Sequence, residues 1–411
     1  MKPTGPIPPY FAADADGMLM IGGNRADALV EQAGDTPLFV YDLDIVRQHV
    51  ARLRAAMPDG LALHYAIKAN PWAPLLAGVA ELVDGLDVAS QGEMEHALAT
   101  GMAASAISFA GPGKRDRELA AAIAAGITIN AESEGEVARA LAIGDRCGVR
   151  PRLAVRVNPS FDLKGSGMKM GGGAKPFGVD AQRVPALVRT VVAAGADWRG
   201  FHIFAGSQSL DADAIADTQA QTVALAAELA EAAGQAPPHV NIGGGLGVPY
   251  FPGDSAVDVD AIGAALARTL DRRADILADT RFAIELGRWF VAEAGVYLTR
   301  IVDRKISHDA IFLICDGGLH HQLAASGNFG TVIRRNYPIA LANRFGGDSA
   351  ETVSVVGPLC TPLDRLGDNV GLPRGDVGDL IAVFLAGAYG ATASPTAFLG
   401  HPAPRELLVN G

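Results

Sequence analysis

The sequence predicts an α/β fold, a TIM-like (β/α)8 barrel, joined to a mainly β domain. From residue 37 to about 290, short apolar segments ending in polar or glycine-containing residues alternate with alanine-rich helical stretches. That alternation implies a parallel sheet with helical crossovers. About eight such units over roughly 250 residues fit a closed barrel better than an open sheet. A doubly wound sheet stays open at this point, because periodicity does not count strands. After about residue 290 the helical texture gives way to strand-like segments separated by turns.

In chain order, PLFVYD leads into DIVRQHVARLRAAM, and LALHYAIKAN into PLLAGVAELV. GLDVAS precedes QGEMEHALATG, and AISFAGP precedes KRDRELAAAIAAG. ITINAES leads to EGEVARALAIGDRCG, and RLAVRVNP runs into the glycine-rich, basic loop 162–178. RGFHIFAGSQ precedes the long helix DAIADTQAQTVALAAELAEAAG, and HVNIGGGLG and RFAIELG close the series. Beyond it, GVYLTRIVDRKIS, AIFLICDGG, ETVSVVGPLC and DLIAVFLAGAYG read as strands of the second domain. The expected division is a barrel over 37–290, with 1–36 and 291–411 as a β domain completing the active site. ADGMLMIGG in the first segment is the candidate for an added strand.

A chain of 411 residues is too long for one ordinary core. Its formal charge of −11 gives a nucleic-acid or anionic-membrane partner no electrostatic support. No apolar run is long enough to span a bilayer, and the proline-rich start MKPTGPIPPYF lacks a secretory apolar core. Cys147, Cys315 and Cys360 are far apart with no metal spacing, which suits a reducing cytoplasm.

In a parallel barrel, functional residues stand where strands end. Those ends are Lys68, Asp87 with Ser90, Arg156, His202 with Ser207, the loop Gly243-Gly244-Gly245-Leu246-Gly247, and Glu285 with Gly287 and Arg288. Cys360 with Asp364, and Tyr389 in GAYG, occupy polar turns of the second domain. Taken singly, each has a bland reading. Lys68 is a snorkelling lysine or an amine with a chemical task. The glycine loop is a tight turn or a phosphate nest. Glu285 and Arg288 are an ion pair, or Arg288 offers its fork to an anion. Asp87 and Arg156 form an interdomain pair, Tyr389 is a core tyrosine, and Cys360 is a small hydrophobe. The loop 162–178 is mobile, gates the site, or recognises an anion.

The set HYAIKAN, GLDVASQGE, HIFAGSQ, NIGGGLG, ELGR, DGG, GPLC…D and GAYG, in this order, resembles the fold-type III pyridoxal-phosphate decarboxylases. That is the diaminopimelate and ornithine decarboxylase group, with an alanine racemase-like two-domain architecture. The likeness runs from about residue 37 to the end and is nearest to the exosortase A system-associated branch. It implies pyridoxal 5'-phosphate as cofactor and Lys68 as its Schiff-base lysine. It implies that Glu285 pairs with the pyridine nitrogen, which suits an electron sink for decarboxylation. By the same likeness Asp87, Arg156, Ser207, Tyr389, Arg288 and the glycines of GGGLG and ELG surround the cofactor. Cys360 becomes the catalytic cysteine reaching the site from the partner subunit of a homodimer, with Asp364 in its turn.

Three departures bear on substrate. Ungapped, Phe204 stands where relatives stack a histidine on the ring; a gap restores His202 to that place. Thr361 follows Cys360 where relatives carry a glutamate that contacts a distal amine. The segment ATASPTAFLGHPAP lacks the usual asparagine turn. The expected substrate is therefore an amino acid bound at Arg288, Cys360, Thr361 and Asp364, larger or conjugated and carrier-protein-tethered as one form. The rivals are a racemase on the same barrel, against which Glu285 speaks, and a non-catalytic cofactor-binding homologue, against which Lys68 and Cys360 speak.

Overall fold

In the computed structural model of the chain, which describes residues 1–327 and 334–411, eight parallel strands close into a barrel. Around the ring they are Ala62–Ala66, Gly85–Val88, Ile107–Phe109, Thr128–Ala131, Arg152–Asn158, Asp197–Ile203, His239–Asn241 and Arg281–Leu286, the last pairing with the first. The helices between them are those the alanine-rich stretches predict, from Ala73–Ala80 to Val259–Asp271. Their starts follow from local chemistry. Ser90, Ser133, Asp211 and Asp258 each accept a hydrogen bond from the backbone three residues on, satisfying a donor at the helix start. Ser90 is thus a helix cap.

By internal contacts the chain divides into two compact units. One holds the barrel and comprises His49–Gly247 and Ala256–Gly287. The other comprises Met1–Gln48, Val248–Ser255 and Arg288–Gly411. Its main sheet has eight strands, in the order Ile339–Leu341, Leu380–Val383, Gly295–Ser307, Ala310–Cys315, Glu351–Val356 and Arg365–Leu372, with Leu38–Asp42 and Arg405–Val409 branching from Gly295–Ser307.

Leu38–Asp42 corrects the barrel limits expected from the sequence. Instead of opening the barrel, it lies between Gly295–Ser307 and Arg405–Val409. All five of its residues are buried, and a strand covered on both faces carries no period that tells one sheet from another. The initial segment differs too. Ala12–Ala13, Leu19–Ile21 and Asn24–Arg25 form their own three-stranded sheet, followed by the helix Ala26–Ala33. Within loop 162–178, Met168–Lys169 pairs antiparallel with Gly206–Ser207. Among the described residues no helix is long and apolar enough to cross a membrane.

Candidate active site

Lys68 stands in a 3-10 turn, Ile67–Ala69, directly after the strand Ala62–Ala66. The turn is pinned from both sides. Tyr65 donates its hydroxyl hydrogen to the Asn70 carbonyl at 3.0 Å, and the Asn70 side chain accepts from the Trp72 N–H at 3.1 Å. Ile67 and Ala69 are buried while Lys68 is exposed, its Nζ 5.8 Å from the centre of the Phe204 ring. Gly287 packs on the same turn: a Cβ there would lie 2.9 Å from the Ala69 Cβ and 3.1 Å from the Ala66 carbonyl oxygen.

Two acids on the barrel strands, Glu285 and Asp87, have distinct partners. Glu285 lies 2.8 Å from His202 Nε2, and both side chains are buried. Burial pushes the Glu285 carboxyl up, but His202, with the charges of Lys68 and Arg156, holds it below the usual carboxylate range. Asp87 accepts from the Ser108 hydroxyl and lies 3.4 Å from His64 Nδ1. Burial opposes a charge on His64, yet Asp87 and then Glu285 raise its pKa above the ordinary value. His64 is also the register partner of Glu285 on the adjacent strand.

Arg156 donates to Glu132 Oε1 at 2.8 Å and stands 5.2 Å from the Phe177 ring. Glu132 accepts in addition from the Gly111 and Gly178 N–H groups, so it ties the end of loop 162–178 to Arg156. These partners replace the readings offered by the sequence alone. Asp87 and Arg156 are each paired within the barrel, and the partner of Glu285 is His202.

The glycine loop depends on missing side chains. A Cβ at Gly244 would stand 2.1 Å from the Glu285 carbonyl oxygen, and one at Gly245, whose φ is +93°, 2.7 Å from Leu163 Cδ2. Gly243 is held by its N–H on the Asn241 side chain and by its carbonyl on the Glu285 N–H, both at 2.9 Å. Gly247 donates to the Ser209 carbonyl at 2.8 Å, which sets it beside the Ser207–Gln208 turn. Ser207 is half-buried in the short strand Gly206–Ser207.

In the second unit, Arg288 donates from Nη1 to the Tyr250 hydroxyl at 2.8 Å. Its guanidinium faces two rings, Tyr250 at 5.3 Å and Tyr389 at 4.6 Å. Its Nε is buried and finds no hydrogen-bond partner among the described residues. Tyr389 adopts a φ of +54°, an uncommon backbone for a tyrosine. Tyr250 packs on Tyr337, ring centres 4.8 Å apart, and its N–H binds the Asp254 carboxylate.

Cys360 is exposed and Thr361 half-buried. Asp364 is buried, and both its oxygens are taken, Oδ1 by the Leu319 N–H at 2.6 Å and Oδ2 by the Leu359 N–H at 2.9 Å. These bonds make Asp364 part of the turn that presents Cys360. The sequence reading also passed over His64, Glu132 and Tyr250. Glu132 directly follows the strand Thr128–Ala131 and met the strand-end rule; His64 and Tyr250 carried no local signal.

The family described as "Pyridoxal-dependent decarboxylase, pyridoxal binding domain" matches residues 43–292. The chain is 36% identical over 380 residues to an L-glutamyl-[BtrI acyl-carrier protein] decarboxylase of Niallia circulans, covering 91% of this chain and 89% of that one. It is 30% identical over 380 residues to a 2-[(L-alanin-3-ylcarbamoyl)methyl]-2-hydroxybutanedioate decarboxylase of Staphylococcus aureus, covering 90% and 93%. Among solved structures, a diaminopimelate decarboxylase from M. jannaschii in complex with L-lysine superposes with a TM-score of 0.88 at 25% identity, covering 98% and 93%.

Proposed function

The chain belongs to the pyridoxal-dependent decarboxylases and acts with pyridoxal 5'-phosphate on an amino acid, and from that premise we propose which of its residues do the work and which kind of substrate they take. The residues fit the cofactor. Arg288 keeps a buried N–H unpartnered among the described residues, the loop Gly243–Gly245 is clear of Cβ atoms, and Glu285 is an ionised carboxylate in the barrel interior. When bound, the cofactor supplies the electron sink that takes up the pair left on Cα as CO2 departs.

Lys68 provides the amine that holds the cofactor, and the Phe204 ring beneath it gives that amine an aromatic neighbour. Glu285, kept charged by His202, accepts a proton-bearing nitrogen. His202 thus acts through Glu285, which leaves Phe204 as the side chain for ring stacking. Asp87 and Arg156, each fixed by a barrel partner, orient groups at the strand ends. In the barrel unit the glycine loop, Gly247, Gly287 and Ser207 offer groups to a phosphate; in the other unit Tyr389 offers a hydroxyl, and Arg288 a fork for an oxyanion, phosphate or substrate carboxylate. Cys360 Sγ–H supplies the proton that replaces CO2 at Cα, from the second copy of a homodimer. Three free cysteines support work in a reducing cytoplasm.

The substrate is an amino acid whose far end is conjugated or carrier-tethered. One observation carries this. The carboxylate of the Cys360–Asp364 turn is buried and bound to two backbone N–H groups, and Thr361 is neutral, so the turn presents no exposed acid for a distal ammonium. Relatives acting on a carrier-bound glutamyl group and on a conjugated alanine support the same class. The test is CO2 release by the holoenzyme from free diaminopimelate, ornithine and glutamate against a glutamyl group on an acyl carrier protein. The expected kcat/KM is at least tenfold higher on the tethered form. A preference for free diaminopimelate or ornithine would remove the tethered class.

A further inference from the structure

Glu132, the residue after the strand Thr128–Ala131, belongs to a set of four buried charges, with Arg156, Lys114 and Glu136. None of the four side chains is more than 10% exposed. Lys114 Nζ spends its three hydrogens on Glu136 Oε1 at 2.6 Å and on the Gly111 and Asn130 carbonyls at 2.8 and 3.0 Å. Gly111 in turn donates its N–H to Glu132, which also takes the Arg156 fork at 2.8 Å. Burial pushes the Glu132 carboxyl up, yet the charges of Arg156 and then Lys114 hold it below the usual carboxylate range. Buried ion pairs add little net stability over an apolar filling, so the use of this set lies in what it fixes.

The loop 162–178 ends on the same pair. Gly178 donates its N–H to Glu132 Oε2 at 3.0 Å, and the Phe177 ring lies 5.2 Å from the Arg156 guanidinium. Gly178 has a φ of +74°, and a Cβ there would stand 2.9 Å from the Arg156 carbonyl oxygen. Only a glycine brings the loop this close to the strand Arg152–Asn158, and Val179–Asp180 then pairs in parallel with Val157–Asn158. Arg156 is thus held by an acid, by a ring and by its own strand.

Arg156 stands between two carboxylates. It bonds Glu132, while Glu285 feels its charge after those of His202 and Lys68. We propose that Glu132 is a positioning residue of the decarboxylation: it holds Arg156 so that Glu285 feels the guanidinium charge without a hydrogen bond from it, and Phe177 and Gly178 make that hold depend on where loop 162–178 lies. The inference rests on the proposed place of Glu285 at a proton-bearing nitrogen. A carboxylate free of a second cation keeps the proton on that nitrogen. An arginine released onto it shares the carboxylate and weakens the hold.

The test is a pH titration of the cofactor absorbance in the holoenzyme, with kcat and KM measured alongside. E132Q keeps the shape of the side chain and removes the charge that retains Arg156. E132D returns the charge, F177A removes the ring, and E285Q serves as reference. In E132Q the band should titrate about one pH unit lower than in the unaltered protein, with kcat about tenfold lower and KM changed less. E132D should restore most of both, and F177A should move the band the same way by less. A packing role alone lowers the urea midpoint and leaves the titration in place; that result overturns the proposal. An unchanged band in E285Q removes the reading of Glu285 and the inference with it. A changed band in E285Q with an unmoved one in E132Q overturns the inference alone. Should E132Q fail to fold, an unmoved titration in F177A overturns it instead.

Discussion

Tyr250→Phe removes one oxygen and with it an acceptor of the Arg288 fork, the hydroxyl 2.8 Å from Nη1. The ring remains, so the guanidinium keeps its aromatic neighbours. A hydrogen bond to a charged group is worth about 1.5–3 kcal/mol. Cofactor Kd or substrate KM should therefore rise about tenfold or more, with kcat changing less. His202→Phe acts on protonation. Without the 2.8 Å contact the Glu285 carboxyl rises, and the acid limb of the pH–rate profile moves to higher pH, with kcat about ten- to a hundredfold lower at neutral pH. An unmoved limb would mean that His202 only packs. At this scale the sequence revealed residues by position: Lys68, Arg156 and Glu285 all stand at or beside strand ends. It could not reveal how a group is spent. Asp364 reads as a carboxylate in a polar turn, and only the fold brings the Leu319 and Leu359 amides onto its two oxygens.

The glycine loop shows what an element adds to its residues. Gly244→Ala sets a methyl 2.1 Å from the Glu285 carbonyl oxygen, and backbone on both sides has to move. Overpacking of this kind costs about 1–3 kcal/mol. Urea unfolding should show that loss, and cofactor absorbance a weaker affinity. Native stability and affinity in this variant would contradict the packing described. Elements differed in how plainly the sequence announced them. Gly295–Ser307 was legible because β-branched residues and flanking turns mark it. Arg365–Leu372 was not, since its glycines, aspartate and asparagine are residues that strands avoid. Leu38–Asp42 was legible as a strand but not in its sheet, because pairing with Arg405–Val409 joins opposite ends of the chain.

Over the whole molecule, buried histidines set the response to acid. His239 and His320 are pushed down to about 3, burial being the first cause in each, whereas an unfolded chain takes up these protons near 6.5. Between those values the unfolded state binds protons that the folded state refuses. Stability then falls as pH falls, by up to about 1.4 kcal/mol per pH unit for each group. His64, with its raised pKa, contributes stability in full below its unfolded value and loses it as pH rises through the folded one, so its change lies on the alkaline side of that trend and leaves the acid decline as it is. Glu285, with its lowered pKa, contributes above the unfolded carboxylate value and loses this only as pH falls through the folded one. Urea midpoints at pH 7, 5.5 and 4.5 should decline more gently in H239Q than in the unaltered protein, and equal slopes would contradict this. The central claim, that Lys68 is the amine that holds the cofactor, has a direct measurement. The holoenzyme is reduced with borohydride, digested, and its peptides mapped by mass. A pyridoxyl group on the peptide containing Lys68, and on no other lysine, is the expected result. An adduct elsewhere, or none, would contradict the account.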